Sequence, residues 1–263
     1  MRNNNAQPRS GIRTQQKDMQ HNDSLTQARI DLAAALRWAA KMGLHEGICN
    51  HFSLAVPGRT DQFLINPQGL HWAEITPDDL MLIDPDGHVI EGKHTVEPTA
   101  FFIHSRIHLS KPNAACVLHT HMPHATAMTI CDGGKLEWAS QTALKFYGRV
   151  AYDECYNGLV LDVEEGDRIC AQLSNADVLF LANHGVIVCG DSVARAFDDL
   201  YYLERACQLQ SIAQSTGKPL RTIPESICQH TAQQMAEETQ YLLHLEALKR
   251  LLDRDEPGWR ASE

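Results

Sequence analysis

Three histidines that lie in or beside apolar runs constrain this chain more than any other feature. The run Cys116–His121 reads Cys-Val-Leu-His-Thr-His, and the later run Leu179–Ala182 is followed by Asn183-His184-Gly185. Both runs have the length and composition of buried strands. Because residues i and i+2 of a strand point to the same face, about 6.6 Å apart, His119 and His121 are predicted to lie side by side. The chain is therefore expected to form a sheet with histidines at the ends of two strands.

This arrangement of histidines predicts a metal site. Two imidazoles on one strand face can converge on one cation, since metal–nitrogen bonds are about 2.0–2.1 Å long. His184, at the end of another strand, would complete a three-ligand set and leave one position open for substrate or water. The alternative is that each residue is an ordinary core or loop histidine. The combination of His-x-His with Asn-His-Gly favours the metal site.

Composition limits the class of protein and its partners. The chain has 263 residues, of which 43% are hydrophobic and 21% charged, as expected for one large globular domain with tails. No apolar run approaches the roughly 20 residues of a membrane span. The net charge of −10 and the lack of clustered Lys and Arg argue against nucleic acid as a partner. Eight cysteines without a Cys-x-x-Cys pair favour a reduced, cytoplasmic protein.

The pattern of apolar residues and turn formers indicates an α/β fold. Residues 1–23 are polar and are predicted to form a flexible tail rather than a secretory signal. Ser24 is predicted to cap a first helix, Ser192 caps a long helix that ends at Gln214, and a last helix runs from about Thr231 to Arg254. Hairpin-linked strands between the helices indicate a mixed sheet. The exposed side of the long helix is predicted to carry Asp198, Asp199, Glu204 and Arg205.

A series of motifs follows the first helix in a fixed order. They are Asn50–Ser53, Phe63–Gly69, Ile75–Leu80, His104 before Lys111-Pro112, Val117–His121, Ala182–Gly185 and Tyr202–Cys207. Together they resemble the class II aldolase/adducin family from about Leu25 to Ala213. The resemblance implies a family domain over residues 24–220, followed by a helical extension over 221–263.

The resemblance also implies a three-layer α/β/α fold with a central mixed, largely antiparallel sheet. The family usually forms a ring-shaped homotetramer with its sites between subunits. The resemblance further implies a divalent metal on His119, His121 and His184, most commonly zinc. Manganese or iron would also suit these ligands, because imidazole binds several such ions.

The chain departs from the sugar-phosphate aldolases of the family at the reacting centre. Those enzymes place a proton-shuttling glutamate four residues before the histidine at His104, where this chain has Ala100. Their phosphate-binding residues are replaced here by Asn50-His51, Gln68-Gly69 and Pro98-Thr99. Small hydroxyl groups and backbone N–H donors bind phosphate well, and the imidazole and proline found here replace some of these donors. A phosphorylated sugar is therefore not the expected substrate, and the pattern is closer to the adducin-like branch.

Other residues are weaker candidates, and no catalytic residue is assigned. His51, Gly69 and His124 are predicted to contact substrate, although His51 could instead make a structural hydrogen bond and His124 could cap a helix. Glu97 could replace the missing base, but a solvated carboxylate at a helix start is the favoured interpretation. A neighbouring site could receive a phenol from one of three tyrosines, which are Tyr147, Tyr152 and Tyr156.

Three functions remain open at this point. The first is a metal-dependent lyase that acts on a small hydroxy or keto acid by retro-aldol cleavage or decarboxylation. The second is a non-catalytic, adducin-like interaction module, which would place no demand on the three histidines. The third is an iron-dependent oxygenase that uses the same ligands. Retention of all three histidines favours an enzyme, and a homo-oligomer acting on a small molecule is expected.

Overall fold

A single eight-stranded sheet forms the centre of the part of the chain that the structure describes. The structure is a computed structural model that describes residues 10–59 and 61–261, with side chains from residue 23 onward. The strand order is β4-β3-β2-β1-β5-β8-β7-β6, and every neighbouring pair is antiparallel except β6 and β7. The strands are β1 (His51–Ala55), β2 (Phe63–Ile65), β3 (Met81–Ile83), β4 (Val89–Glu91), β5 (Cys116–Thr120), β6 (Val150–Asp153), β7 (Val178–Leu181) and β8 (Gly185–Gly190).

Helices cover both faces of this sheet. The second and fifth helices share one apolar cluster with the sheet, and the first, third, sixth and eighth share a larger cluster on the opposite face. The molecule is thus a three-layer α/β/α structure with a mixed sheet, as predicted. The helices are α1 (Ser10–Lys41), α2 (Pro98–Ser110), α3 (Pro123–Thr129), α4 (Gln141–Leu144), α5 (Val163–Leu173), α6 (Val193–Gln214), α7 (Glu225–Ala236) and α8 (Gln240–Asp255).

Alternation along β5 decides which face of the sheet receives the histidines. Cys116 and Leu118 pack into the larger cluster, whereas Val117 packs with α2 and α5. His119 has the same parity as Val117, so its ring lies on the α2 side. All residues of β5 are buried, which confirms that this run is a central strand.

The predicted start of the first helix is wrong. Helix α1 begins at Ser10, so Ser24 lies inside it and is not an N-cap. Residues 12–23 contain neither Pro nor Gly and are rich in good helix formers, so nothing in them ends a helix. Residues 1–9 of the predicted flexible tail lie outside the described residues. No helix in the described ranges is both long and apolar enough to cross a membrane.

The predicted last helix is two helices, α7 and α8. They are separated near Thr239, which is the N-cap of α8. Glu238 lies just before α8, where the helix dipole favours negative charge, and Glu237 is the C-cap of α7. Leu245, Leu248 and Leu252 of α8 are buried in the larger cluster, and α8 packs on α1 and α6. The short helix α4 was not predicted at all.

The prediction of a solvated face on α6 is also wrong for three of its four residues. Asp198, Asp199 and Glu204 are buried, and only Arg205 is exposed. Lys145 of α4 contacts both aspartates, at 2.6 and 3.2 Å. Other helices cover this face, and their placement cannot be read from the local sequence of α6. The two aspartates are compensated by paired cations, and Glu204 accepts hydrogen bonds from backbone N–H groups, which are the conditions for burying charge.

Candidate metal centre

The three predicted ligands meet at one end of the sheet. His119 is in β5, His121 follows the end of that strand, and His184 lies in the turn between β7 and β8. Because β5 and β8 are antiparallel neighbours, with His119 opposite Ile187, this turn is held beside the end of β5. One ring nitrogen of each histidine lies within 4.8 Å of the others. Three imidazole nitrogens so grouped are the donor set of a catalytic zinc site.

Hydrogen bonds to the opposite ring nitrogens orient the ligands. His119 Nδ1 donates to the carbonyl oxygen of Val186 over 3.0 Å, and His121 Nδ1 lies 2.5 Å from Glu46 Oε2. These contacts place the protons on Nδ1 and leave Nε2 of each ring with a lone pair. His121 Nε2 is buried and has no hydrogen-bond partner in the protein. Since buried polar atoms are rarely left unpaired, this atom fits a metal ligand.

Burial also keeps His119 and His184 neutral. Removal from water, followed by the neighbouring histidines, holds the pKa of His119 well below its usual value. The same causes, with burial the larger, lower the pKa of His184 to about 4. Only the neutral ring offers a lone pair to a metal. Both residues are therefore ready to bind a cation at neutral pH.

The turn before β8 is built for close approach. Asn183 has φ of +57°, a left-handed conformation that Asn tolerates better than most residues. A Cβ atom at Gly185 would lie 2.5 Å from the carbonyl oxygen of Thr120 and 2.7 Å from Cδ2 of His121. Only glycine therefore lets this turn pack against the end of β5, which accounts for the sequence Asn-His-Gly.

The predicted substrate contact His51 lies beside the triad. It is opposite His119 in the pairing of β1 with β5, and the two rings stack with centroids 5.4 Å apart. His51 is buried, and its Nε2 lies 3.0 Å from Oε2 of Glu97. The arrangement places one more imidazole next to the ligands without making it one of them.

Glu97 is turned inward rather than fully solvated. It is the N-cap of α2, where its carboxylate accepts a hydrogen bond from the backbone N–H of Ala100 over 3.0 Å. Burial acts to raise the pKa of Glu97, but contacts with His51, Thr99 and that N–H outweigh it and lower the pKa to about 2. The side chain is a carboxylate at neutral pH. Ala100 itself is buried in an apolar cluster with Phe63, Ile65, Met81 and Ile83.

A row of buried polar side chains behind the triad was not predicted. His108 Nδ1 donates to the carbonyl oxygen of Ala114 over 2.9 Å, so its Nε2 must accept from the hydroxyl of Ser53, 2.6 Å away. The Ser53 oxygen then accepts from His104 Nδ1 over 2.6 Å. His104 Nε2 is left as a buried lone pair without a partner. The i, i+4 spacing of the two histidines on α2 is the signal that could have revealed them.

The contacts described for the remaining candidates do not include the three histidines. Gly69 sits in the turn after β2, with φ of +88°. His124 begins α3, where its backbone N–H donates to Glu204 Oε1 over 2.8 Å, and its side chain lines a groove with Met42 and Tyr201. The assignment of Gly69 and His124 to substrate stays a prediction.

Of the three tyrosines, Tyr156 is nearest to the site. Its ring centroid lies 6.4 Å from that of His184, and the side chain is exposed. Tyr147 donates to Glu225 of α7, and the hydroxyl of Tyr152 accepts from the backbone N–H of Leu136. Only Tyr156 is therefore free to contribute near the metal ligands.

Comparison with known proteins agrees with this geometry. Residues 30–211 match the family model described as the class II aldolase and adducin N-terminal domain. A Pseudomonas aeruginosa protein that carries the name aldolase class 2 protein is 36% identical over 241 residues, covering 89% of this chain and 92% of the relative. The decarboxylase NovR of Streptomyces niveus is 31% identical over 205 residues, covering 77% of this chain and 75% of NovR.

A solved structure shows the same fold. The aldolase II superfamily protein from Pseudomonas syringae superposes with a TM-score of 0.84 at 35% identity, covering 90% of this chain and 96% of its own. The family model spans well over half of the chain, and the three histidines that converge here lie within the matched residues. The chain therefore belongs to the class II aldolase and adducin family.

Proposed function

We propose that this protein is a metal-dependent lyase that acts on a small hydroxy or keto acid, by retro-aldol cleavage or decarboxylation. The observation that carries the proposal is the convergence of three histidines, with a buried, unpartnered Nε2 on His121. A divalent ion held there would act as a Lewis acid toward oxygens of the substrate. Zinc is the proposed ion, with manganese or iron as alternatives for the same ligands.

The neighbouring residues support an acid rather than a sugar phosphate as substrate. Position 100 holds alanine, which cannot transfer a proton. Ala100 packs among apolar side chains instead. His51 and Glu97 stand where a polar group of the substrate would lie beside the ligands. Decarboxylation needs no proton abstraction before the bond breaks, so it is the reaction least harmed by the loss of that base. The similarity to a named decarboxylase supports the same reading.

We also propose a cytoplasmic homo-oligomer, with a tetramer as the expected form. Several large apolar side chains are exposed on the loop between β6 and α5 and at the first residue of α5. Such apolar patches are typical of subunit interfaces. The eight cysteines are all free thiols, which supports a reducing compartment. The exposed residues are Tyr156, Leu159, Leu161 and Val163.

Metal analysis tests the proposed centre directly. Protein purified without added metal should contain about one divalent ion per chain, and His121→Ala should abolish that content. His230→Ala serves as the control, because His230 is exposed on α7 and belongs to neither group of possible metal-binding side chains in the described residues. An unaltered metal content in His121→Ala would place the ion elsewhere. Stoichiometric iron, with turnover that depends on oxygen, would favour the oxygenase alternative.

A substrate comparison tests the proposed reaction. The metal-loaded protein should cleave or decarboxylate small hydroxy and keto acids but leave fuculose 1-phosphate and ribulose 5-phosphate essentially unreacted. Turnover of either phosphate at the ordinary enzyme rate of about 1–10³ per second would show that Ala100 is no handicap. Failure on every acid, with metal bound, would favour a non-catalytic module.

A further inference from the structure

The loop between α1 and β1 brings a carboxylate to the outer edge of one metal ligand. Glu46 Oε2 lies 2.5 Å from His121 Nδ1, although the two residues are 75 positions apart in the chain. Nδ1 and Nε2 lie on different edges of the imidazole ring. Glu46 therefore touches the nitrogen that faces away from the cation and does not take a place among the ligands.

A second side chain ties Glu46 to the same histidine. Asn50 is buried, and its Oδ1 accepts from the backbone N–H of Glu46 over 2.8 Å and from that of His121 over 3.3 Å. One oxygen thus joins the loop to the end of β5. Between them, Gly47 has φ of +58°, which lets the loop fold back on itself. A glycine in place of Asn50 would offer no such acceptor.

The three ligands are not supported alike. His119 donates to a backbone carbonyl, Val186, which no side-chain substitution can remove. His121 alone is held by a carboxylate among the contacts described for the triad. A carboxylate that accepts from the far nitrogen of a histidine fixes its ring and increases the electron density at the metal-binding nitrogen.

We propose that Glu46 and Asn50 are positioning residues of the metal site. Glu46 orients His121 and strengthens its Nε2 as a ligand, and Asn50 acts through Glu46 by holding the loop in place. The pair supplies a negative charge next to the ligands in a chain that has alanine at position 100. This inference rests on the metal site of the proposed function and adds the residues that set its affinity.

Metal affinity is the measurement that tests the pair. Competition between the metal-free protein and a chromophoric chelator for Zn²⁺ gives the dissociation constant of each variant. Glu46→Ala is expected to weaken Zn²⁺ binding about 10- to 100-fold, the usual effect of losing such a partner. Glu46→Gln keeps an acceptor without the charge and should fall between Glu46→Ala and the wild type.

A double-mutant cycle separates the two roles. Asn50→Ala should weaken binding, and Glu46→Ala with Asn50→Ala should bind no more weakly than Glu46→Ala alone, because residues that act as a unit are not additive. Asn50→Asp keeps the acceptor oxygen and covers the case in which Asn50→Ala does not fold. Glu74→Ala is the matched control, since Glu74 accepts from the backbone N–H of His71 and touches no ligand.

The affinity measurements test the role of Glu46, the role of Asn50 and the metal site separately. A Zn²⁺ affinity of Glu46→Ala within twofold of wild type would overturn the role of Glu46. Additive losses in the cycle would overturn the statement that Asn50 acts through Glu46. Wild-type protein that binds no Zn²⁺ would overturn the metal site itself, and with it this inference.

Discussion

Gly185 decides whether His121 can take its place among the ligands. A side chain there meets Thr120 on the backbone and the ring of His121, both closer than real Cβ contacts allow. The ring is the more mobile of the two and would move first. A shift of about 1 Å is enough to spoil a ligand set.

We therefore expect Gly185→Ala to fold with a stability loss of about 1–3 kcal/mol and to lose most of its metal affinity. Gly190→Ala is the matched control, because its Cβ would crowd the backbone nitrogen of Ala196 at 2.8 Å, at the other end of β8. It should cost similar stability and retain full metal content. Denaturant unfolding and metal analysis of both variants check this, and full metal content in Gly185→Ala would contradict it.

Residues of the triad could be predicted from the sequence, but their supports could not. The period-two spacing of His119 and His121 in an apolar run is a local signal, and so is the Asn-His-Gly turn. Glu46 contacts His121 from a loop far away in the chain, and nothing in that loop marks it as a partner. The spacing of His104 and His108 is a local signal, but their partner Ser53 meets His108 only when α2 packs on β1.

At the scale of elements, Glu204 shows how one helix caps another. Its carboxylate, buried on α6, accepts from the backbone N–H groups of His124 and Ala125 over 2.8 and 2.9 Å. These groups open α3 and have no partner within their own helix. A charged residue in the middle of α6 therefore fixes the start of the helix that follows the metal-binding strand.

Glu204→Ala should lower the free energy of unfolding by about 2–4 kcal/mol, because it leaves two buried N–H groups unpaired. Arg205→Ala, an exposed neighbour on the same helix, should change it by less than about 0.5 kcal/mol. Urea unfolding of the two variants compares them. If the two variants were equally stable, water would replace the carboxylate at the two N–H groups without loss of stability, and the prediction would be wrong.

The elements were predicted well where apolar periodicity and turn formers or caps coincide, as for β5 and α6. They were predicted poorly where a long polar stretch carries no breaker, as before Ser24, and where burial depends on remote partners. Asp198 and Asp199 look like a solvated face because the cation that buries them, Lys145, comes from a short helix with almost no local signature.

The pH dependence of stability belongs to the whole molecule, because several buried histidines contribute to it. Burial, opposed by the contact with Ala114, lowers the pKa of His108 to about 4 from the ordinary 6.5. His104 is shifted in the same direction, mainly by burial. Between pH 6.5 and about pH 4, His108 is protonated in the unfolded chain but stays neutral in the folded chain. The folded state must therefore lose stability as the pH falls through this range.

We expect the metal-free protein to lose about 3 kcal/mol between pH 6.5 and pH 4 through His108 alone. Denaturant unfolding at several pH values, with a chelator present, measures the slope. His108→Gln should flatten the curve in this range although it is less stable at pH 7. A slope unchanged by the substitution would assign the effect to other groups.

The expected oligomeric state is the second prediction at the scale of the whole molecule. Leu159 and Leu161 are 72% and 60% exposed on the loop that carries Tyr156, an unusual position for large apolar side chains in a monomer. Sedimentation at micromolar concentration should show a species well above the 29.4 kDa of one chain. Leu161→Asp should shift it towards the monomer, whereas Leu243→Asp, on the distant helix α8, should not. A wild-type monomer would contradict the expected assembly.

The order of strands in the sheet has a consequence for how the protein is made. Strand β5 takes one neighbour, β1, from earlier in the chain and the other, β8, from later. On the ribosome, β1 to β5 can pair while His184 is still unsynthesised, and the nascent chain then holds only two of the three ligands. The cation can be captured firmly only after β8 has joined β5. Metal acquisition is therefore expected late in biosynthesis, and a chain truncated before His184 should leave the ribosome unable to retain an ion.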